Sequence, residues 1–142
     1  MKEMFLINMR LPSLNDYVDV NRKNKYEGNK FKSEIDDAIG WRIKQAKVAG
    51  NLTPKEEPVD VLIDFYEPNR RRDVDNIQSA TKYILDALVR QKILQNDGRR
   101  WVNQVYHRVF DIDKKAINKI NNHGYCIVHL LPAGAVTLHI DI

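Results

Sequence analysis

Arg70-Arg71-Arg72-Asp73-Val74-Asp75-Asn76 is the stretch of this sequence whose residue types could do chemistry together. Two acids one residue apart in an extended segment point to the same side, so their oxygens can converge on one hard cation such as Mg²⁺. A third acid would complete such a site. Asp97 is placed for it, in a turn that a hairpin of helix and strand could return towards Asp73. Three consecutive arginines at the start of a predicted helix add guanidinium groups and backbone N–H donors, both suited to phosphate. Together these are the parts of phosphoryl transfer: carboxylate-held metal activates water and offsets developing charge, while arginines fix the phosphodiester backbone. Lys82, about two helical turns further on, can stabilise the transition state or neutralise the leaving oxygen. A plain structural alternative stays open, in which Asp75 caps the helix, Asp73 pairs with an arginine, Asp97 makes a turn with Gly98 and Lys82 is a solvated lysine.

Charge points to the same place. The chain carries a formal net charge of +4, and the segment Asn69 to Arg100, with eight basic residues against four acids, holds all of that surplus. An anionic partner is the expectation there. At 142 residues, 43% apolar and 30% charged, the chain is read as a single globular domain over 1–142, and collagenous, disordered or disulfide-built classes are excluded. One cysteine, Cys126, permits no intrachain disulfide, which is compatible with a reducing cytoplasm. No apolar run approaches the roughly 18 residues of a membrane span, and Glu3 and Asn8 interrupt the start where a signal peptide needs an apolar core.

The elements that must position these residues follow from periodicity. Met4 to Leu11 reads as a strand stopped by Pro12, and Asn15 to Lys30 as an exposed polar loop. Ile35, Ala38, Ile39, Ile43 and Ala46 predict a helix capped by Ser33 and closed at Gly50. Val59, Val61, Ile63 and Phe65 alternate with Asp60, Leu62, Asp64 and Tyr66, the pattern of a strand with one buried face. Asp75 to about Gln91 predicts a helix with Ile77, Ala80, Thr81, Ile84 and Leu88 inward and Asp75, Ser79, Lys82 and Asp86 on the opposite side. Trp101 to Phe110 is a strand, Asp113 to Gly124 a basic segment with a short helix, and Tyr125 to Leu131 and Val136 to Ile142 are two closing strands around a Pro132 to Gly134 turn. The order β, α, β, α, β, β, β predicts an α/β (α+β) fold: one mixed sheet flanked by two main helices.

The run RRRDVDNIQSATKYILDAL, followed by ILQNDGRRWV, resembles the signature of the RusA-type Holliday junction resolvases: an Arg-rich Asp-x-Asp-Asn, a helix ending in Asp-Ala-Leu, then an acidic turn. The resemblance implies a RusA-like homodimeric, Mg²⁺-dependent endodeoxyribonuclease, with Mn²⁺ as a substitute metal, that resolves four-way DNA junctions by paired cuts in recombination and repair. It implies a cytoplasmic, nucleoid-associated protein of bacterial or phage origin. The family's metal-binding acids fall on Asp73, Asp75 and Asp97, and its essential helix lysine, four positions before Asp-Ala-Leu, on Lys82. Arg70, Arg71, Arg72, Asn76, Arg99 and Arg100 are the expected DNA contacts. Two departures stand out. Lys82 lies about three residues later from the Asp-x-Asp than the family spacing, a shift of about 4.5 Å along a helix. Asn96 stands where the acidic turn often carries a second aspartate, so it can ligate through its carbonyl or orient a water but cannot act as a base.

Other signals are weaker. His123, Cys126 and His129 have metal-like spacing, yet in a strand Cys126 and His129 face opposite ways, and Cys126 is read as core. Trp41 and Trp101 could stack on splayed bases but are expected to pack; Tyr26 with Lys23, Lys25, Lys30 and Lys32 forms either a phosphate-contacting arm or a solvated loop. A non-cleaving branched-DNA-binding module of the same fold is the alternative to the nuclease. An Asp-x-Asp glycosyltransferase needs a larger doubly wound domain than this chain offers.

Overall fold

A computed structural model describes residues 3–112 and 123–140. The elements are β1 (Glu3–Ile7), α1 (Leu14–Lys23), α2 (Lys25–Val48), β2 (Val59–Glu67), α3 (Val74–Gln78), α4 (Thr81–Arg90), β3 (Val102–Asp111) and β4 (Tyr125–Pro132). The strands form one mixed four-stranded sheet in the order β1-β4-β2-β3, antiparallel except for the parallel β2–β3 pair. That parallel pair needs a crossover, and α3 with α4 supplies it. The fold is therefore α+β, a mixed sheet with helices, as the element order predicts.

The core lies between one face of the sheet and the helices. Phe5 and Ile7 from β1, Val61, Ile63 and Phe65 from β2, and Cys126, Val128 and Leu130 from β4 meet Ile35, Ile39 and Ile43 of α2 and Ile77, Ile84 and Leu88 of the crossover. Burying each such aliphatic side chain is worth about 1.5–3 kcal/mol, so the α2 isoleucines alone pin that helix to the sheet. Cys126 is core, as expected, and burial pushes its thiol up to about 12.

The polar stretch expected to be a loop is helical. Ser13 and Asp16 form a reciprocal capping box at the start of α1, and the Asn24 side chain accepts from the Tyr26 and Glu27 amides to start α2. These caps sit inside a run whose overall polarity masks them. Ser33, the expected cap, is an interior residue of α2. Tyr17 and Phe31 stack across the α1–α2 hairpin with ring centroids 6.4 Å apart.

Two further expectations are corrected. The helix after Asp75 is broken between α3 and α4, because the Ser79 hydroxyl donates to the Asn76 carbonyl (2.6 Å) and accepts from the Leu14 amide (3.1 Å), competing with the helical ladder. No strand forms over 135–140: β4 already has β1 on one side and β2 on the other, so the chain leaving it cannot pair back onto β4, and Leu138 and Ile140 are exposed. The expected strand residues Asp141 and Ile142, and the Asp113 to Asn122 part of the expected short helix, lie outside the described residues. β2 is buried on both faces instead of one, since it is central in the sheet. The buried acids on its face away from the helices are satisfied: Asp64 accepts from Arg108 (2.6 and 2.8 Å) and contacts His129 (3.0 Å), and Asp60 accepts from Asn103 and the Gly134 amide.

Candidate active site

The acid-bearing segment is fixed by the residues just after β1. Arg72 donates to Glu67 through Nε and Nη2 (3.0 and 2.8 Å) and to the Leu11 carbonyl through Nη1 (2.8 Å). Arg10 donates to the same Glu67 oxygen at 3.1 Å, so a carboxylate that is 4% exposed is held by two guanidinium groups. Further along, Leu14 N–H meets Ser79, Asn15 donates to Asn76 (3.1 Å), and the buried Tyr83 hydroxyl donates to the Ser13 carbonyl (3.3 Å). Burial pushes that phenol up to about 12, so it stays a donor at any ordinary pH. The sequence from Leu11 to Asn15 is thus stapled along the whole Arg72 to Tyr83 run.

This geometry divides the expected DNA contacts. Arg72 is a structural tie, its donors turned inward by the demand of buried Glu67. Arg70 pairs with Asp111 on the surface (2.9 Å), and Asn76 is engaged by Asn15. Arg71, Arg99 and Arg100 are exposed, with Arg100 lying over the Trp101 ring at 5.8 Å from its centroid. Trp101 packs as expected, at 7% exposure. Trp41, expected to pack, is 60% exposed, because its position on α2 faces away from the Ile35, Ile39 and Ile43 stripe.

Lys82 and Asp97 are brought together. At the end of α4, Lys92 takes a left-handed conformation (φ 61°), and the Ile93 and Leu94 amides both bond the Leu88 carbonyl, turning the chain back while those two side chains enter the core. Asn96 then accepts from the Gly98 amide (2.8 Å), which sets the turn. As a result Asp97 Oδ2 lies 3.4 Å from Lys82 Nζ, which also pairs with Asp86 Oδ1 at 3.0 Å. Asp86 first and Asp97 second hold the Lys82 ammonium above its usual range. A lysine kept charged this way can offset negative charge developing on a phosphate.

The acids themselves are exposed. Asp73 occupies the cap position of α3 without a side-chain capping bond, and Asp75 lies in its first turn. Asp73 borders a recess with Glu67, Arg70, Arg72 and Asp111, whereas Asp97 borders another with Lys32, Asp36, Asp86 and Arg90. Oxygen-only donors of this kind suit Mg²⁺ chemically. Among the described residues, however, no three Asp, Glu, His or Cys side chains come together as a metal ligand set. As they stand, Asp73, Asp75 and Asp97 do not make a magnesium cradle, and the return of Asp97 is towards Lys82. The His123, Cys126 and His129 spacing likewise yields no zinc site: Cys126 is in the core and His129 contacts Asp64.

Glu67, Lys32, Asp36 and Arg90 were not legible as neighbours of this region. Glu67 had a signal, an acid closing an apolar strand three positions before an arginine run, where a buried carboxylate finds its counter-charge. Asp36 had one too, as an acid beside the apolar stripe of α2. Compared with known proteins, the chain matches no family model and no curated protein. Among the described residues no helix is long and apolar enough to cross a membrane.

Proposed function

We propose that this chain is a structure-selective, Mg²⁺-dependent endodeoxyribonuclease acting on four-way DNA junctions as a homodimer. The observation that supports it most is the 3.4 Å approach of Lys82 to Asp97, fifteen residues apart in sequence and the very pair that the RusA-type resemblance assigns to one catalytic centre. Arg71, Arg99 and Arg100 are exposed and supply backbone-directed charge, and branch shape with phosphate spacing, more than base edges, sets selectivity. Two symmetric cuts call for two copies related by a two-fold axis.

Cleavage of a synthetic four-way junction tests the reading, run with Mg²⁺, with Mn²⁺ and with chelator. Paired nicks are expected with either metal and none with chelator. Asp75→Asn, Asp97→Asn and Lys82→Ala are each expected to lower the rate by about 100-fold or more. Undiminished cutting by Asp75→Asn would remove the mechanism. A second reading, a branched-DNA-binding module that does not cut, is favoured by the unassembled carboxylates and by Lys82 being tied to two acids. It predicts junction binding in chelator with no nicked product under any divalent metal.

A further inference from the structure

Val136, Leu138 and Ile140 alternate with Thr137 and His139 in the pattern of a strand, yet residues 136–140 pair with nothing in the single chain, and Leu138 and Ile140 are 65% and 77% exposed. A segment of this kind needs the edge of a sheet. The outer strands here are β1 and β3. β3 carries exposed Asn103, Gln104 and Arg108, the sort of polar residues that keep an edge from pairing. β1 reads Met4, Phe5, Leu6, Ile7 after Glu3, with Met4 and Leu6 exposed and no charge or proline to guard it. Among the described residues, the backbone of 3–7 bonds nothing but β4.

Beside that edge lies a recess. Asp36 to Arg90 and Lys47 to the Gln91 carbonyl tie one flank of α2 to α4, so the other flank, with Ala38, Trp41 and Arg42, overhangs the outer side of β1 and meets Ile7, Asn8 and Met9 there. Trp41 is open to solvent on it, and Asn8 Oδ1 is buried without a hydrogen-bond donor among the described residues. A groove between a strand edge and a helix takes an extended segment as one more strand: main-chain bonds hold it while alternate side chains enter the groove.

We propose that residues 136–140 of one copy add as a strand to the outer edge of β1 of a second copy, and reciprocally, with the arm's apolar row against Trp41. Lengths agree, since β1 and the arm each have five residues, about 17 Å of strand. The arm's own chain leads it away from its own β1: the Ala133 amide bonds the Pro58 carbonyl and the Gly134 amide bonds Asp60, both on the β2 side of β4, whereas β1 lies on the other side. One short arm makes a small contact, and reciprocal exchange about a two-fold axis doubles it towards the roughly 1,200 Å² at which specific interfaces begin. The exchange stands without the nuclease reading, and supplies the two-fold pair that reading calls for.

Sedimentation of the full chain without DNA, from about 1 to 100 μM, tests it together with tryptophan emission and thermal melting. The wild type is expected to dimerise with a blue shift in emission and a melting temperature that rises with concentration. Leu138→Asp with Ile140→Asp, at side chains exposed in the single chain, is expected to raise the dimer Kd about 100-fold or more and to abolish both concentration effects while the monomer melts as before. Trp41→Phe keeps the groove apolar and is expected to dimerise without the blue shift. A wild type that stays monomeric at 100 μM would overturn the exchange, as would a blue-shifted Trp41 in a monomer, which would put the arm on its own chain. Undiminished dimerisation of the double variant would place the two-fold contact elsewhere and leave the nuclease reading intact. Dimerisation that leaves the emission of Trp41 unchanged would overturn the groove as the arm's seat.

Discussion

At the scale of single residues, the sequence shows where charge is concentrated but cannot say which way each group points. Arg70, Arg71 and Arg72 are adjacent and chemically identical, yet one pairs on the surface, one is exposed and one is drawn inward by a buried glutamate. What separates them is the exposure of the carboxylate within reach: Asp111 is half exposed, Glu67 is not. Arg72 should therefore behave as a stability residue. Arg72→Ala leaves Glu67 with Arg10 alone and the Leu11 carbonyl without its donor, and is expected to cost about 2–3 kcal/mol in urea unfolding. Arg71→Ala is expected to leave the unfolding midpoint unchanged and to weaken junction binding. A stable Arg72→Ala protein with reduced DNA affinity would reverse the two assignments.

At the scale of elements, what was legible was periodicity and what was hidden was capping and close approach. The stripes of α2 and of the α3–α4 crossover, and the alternation of β2, are visible because apolar spacing is a one-dimensional property. The helix over 14–23 was missed because its signals, Ser13 with Asp16 and Asn24 before Tyr26, are polar residues inside a polar run. The α1–α2 hairpin also depends on a glycine for a reason no periodicity reveals: a Cβ on Gly28 would overlap Asn21 Oδ1 and lie 2.7 Å from Asn21 Cα. Backbone cannot rotate away as a side chain can. Alanine would gain about 1 kcal/mol of helix propensity, but the crowding reverses the sign. Gly28→Ala is expected to destabilise the fold by about 1–2 kcal/mol net in chemical denaturation. A more stable variant would show that α1 shifts freely on α2.

At the scale of the whole molecule, the sheet order decides which polar groups must be satisfied without water. Only because β4 and β3 flank β2 does Asp64, 3% exposed, come between His129 and Arg108, residues 65 and 44 positions away. The sequence shows three unrelated polar residues; the topology makes them one cross-sheet clamp. Burial works to raise the Asp64 carboxyl, but the hydrogen bonds from Arg108 and His129 outweigh it, so the group lies below its ordinary value of 3.8. A folded-state value below the unfolded one means the unfolded chain binds the proton more readily. The clamp therefore contributes its full stability above pH 3.8 and loses it as the pH falls from there through the folded-state value. Urea midpoints measured from pH 6 down to pH 2 should fall for the wild type in that acid window. In Asp64→Asn they should start lower at pH 6, because Arg108 is left without its carboxylate, and fall less steeply below pH 3.8. Parallel curves for the two proteins would mean that Asp64 titrates as it does in the unfolded chain, and that the charge pair across β4, β2 and β3 contributes nothing to holding the sheet together.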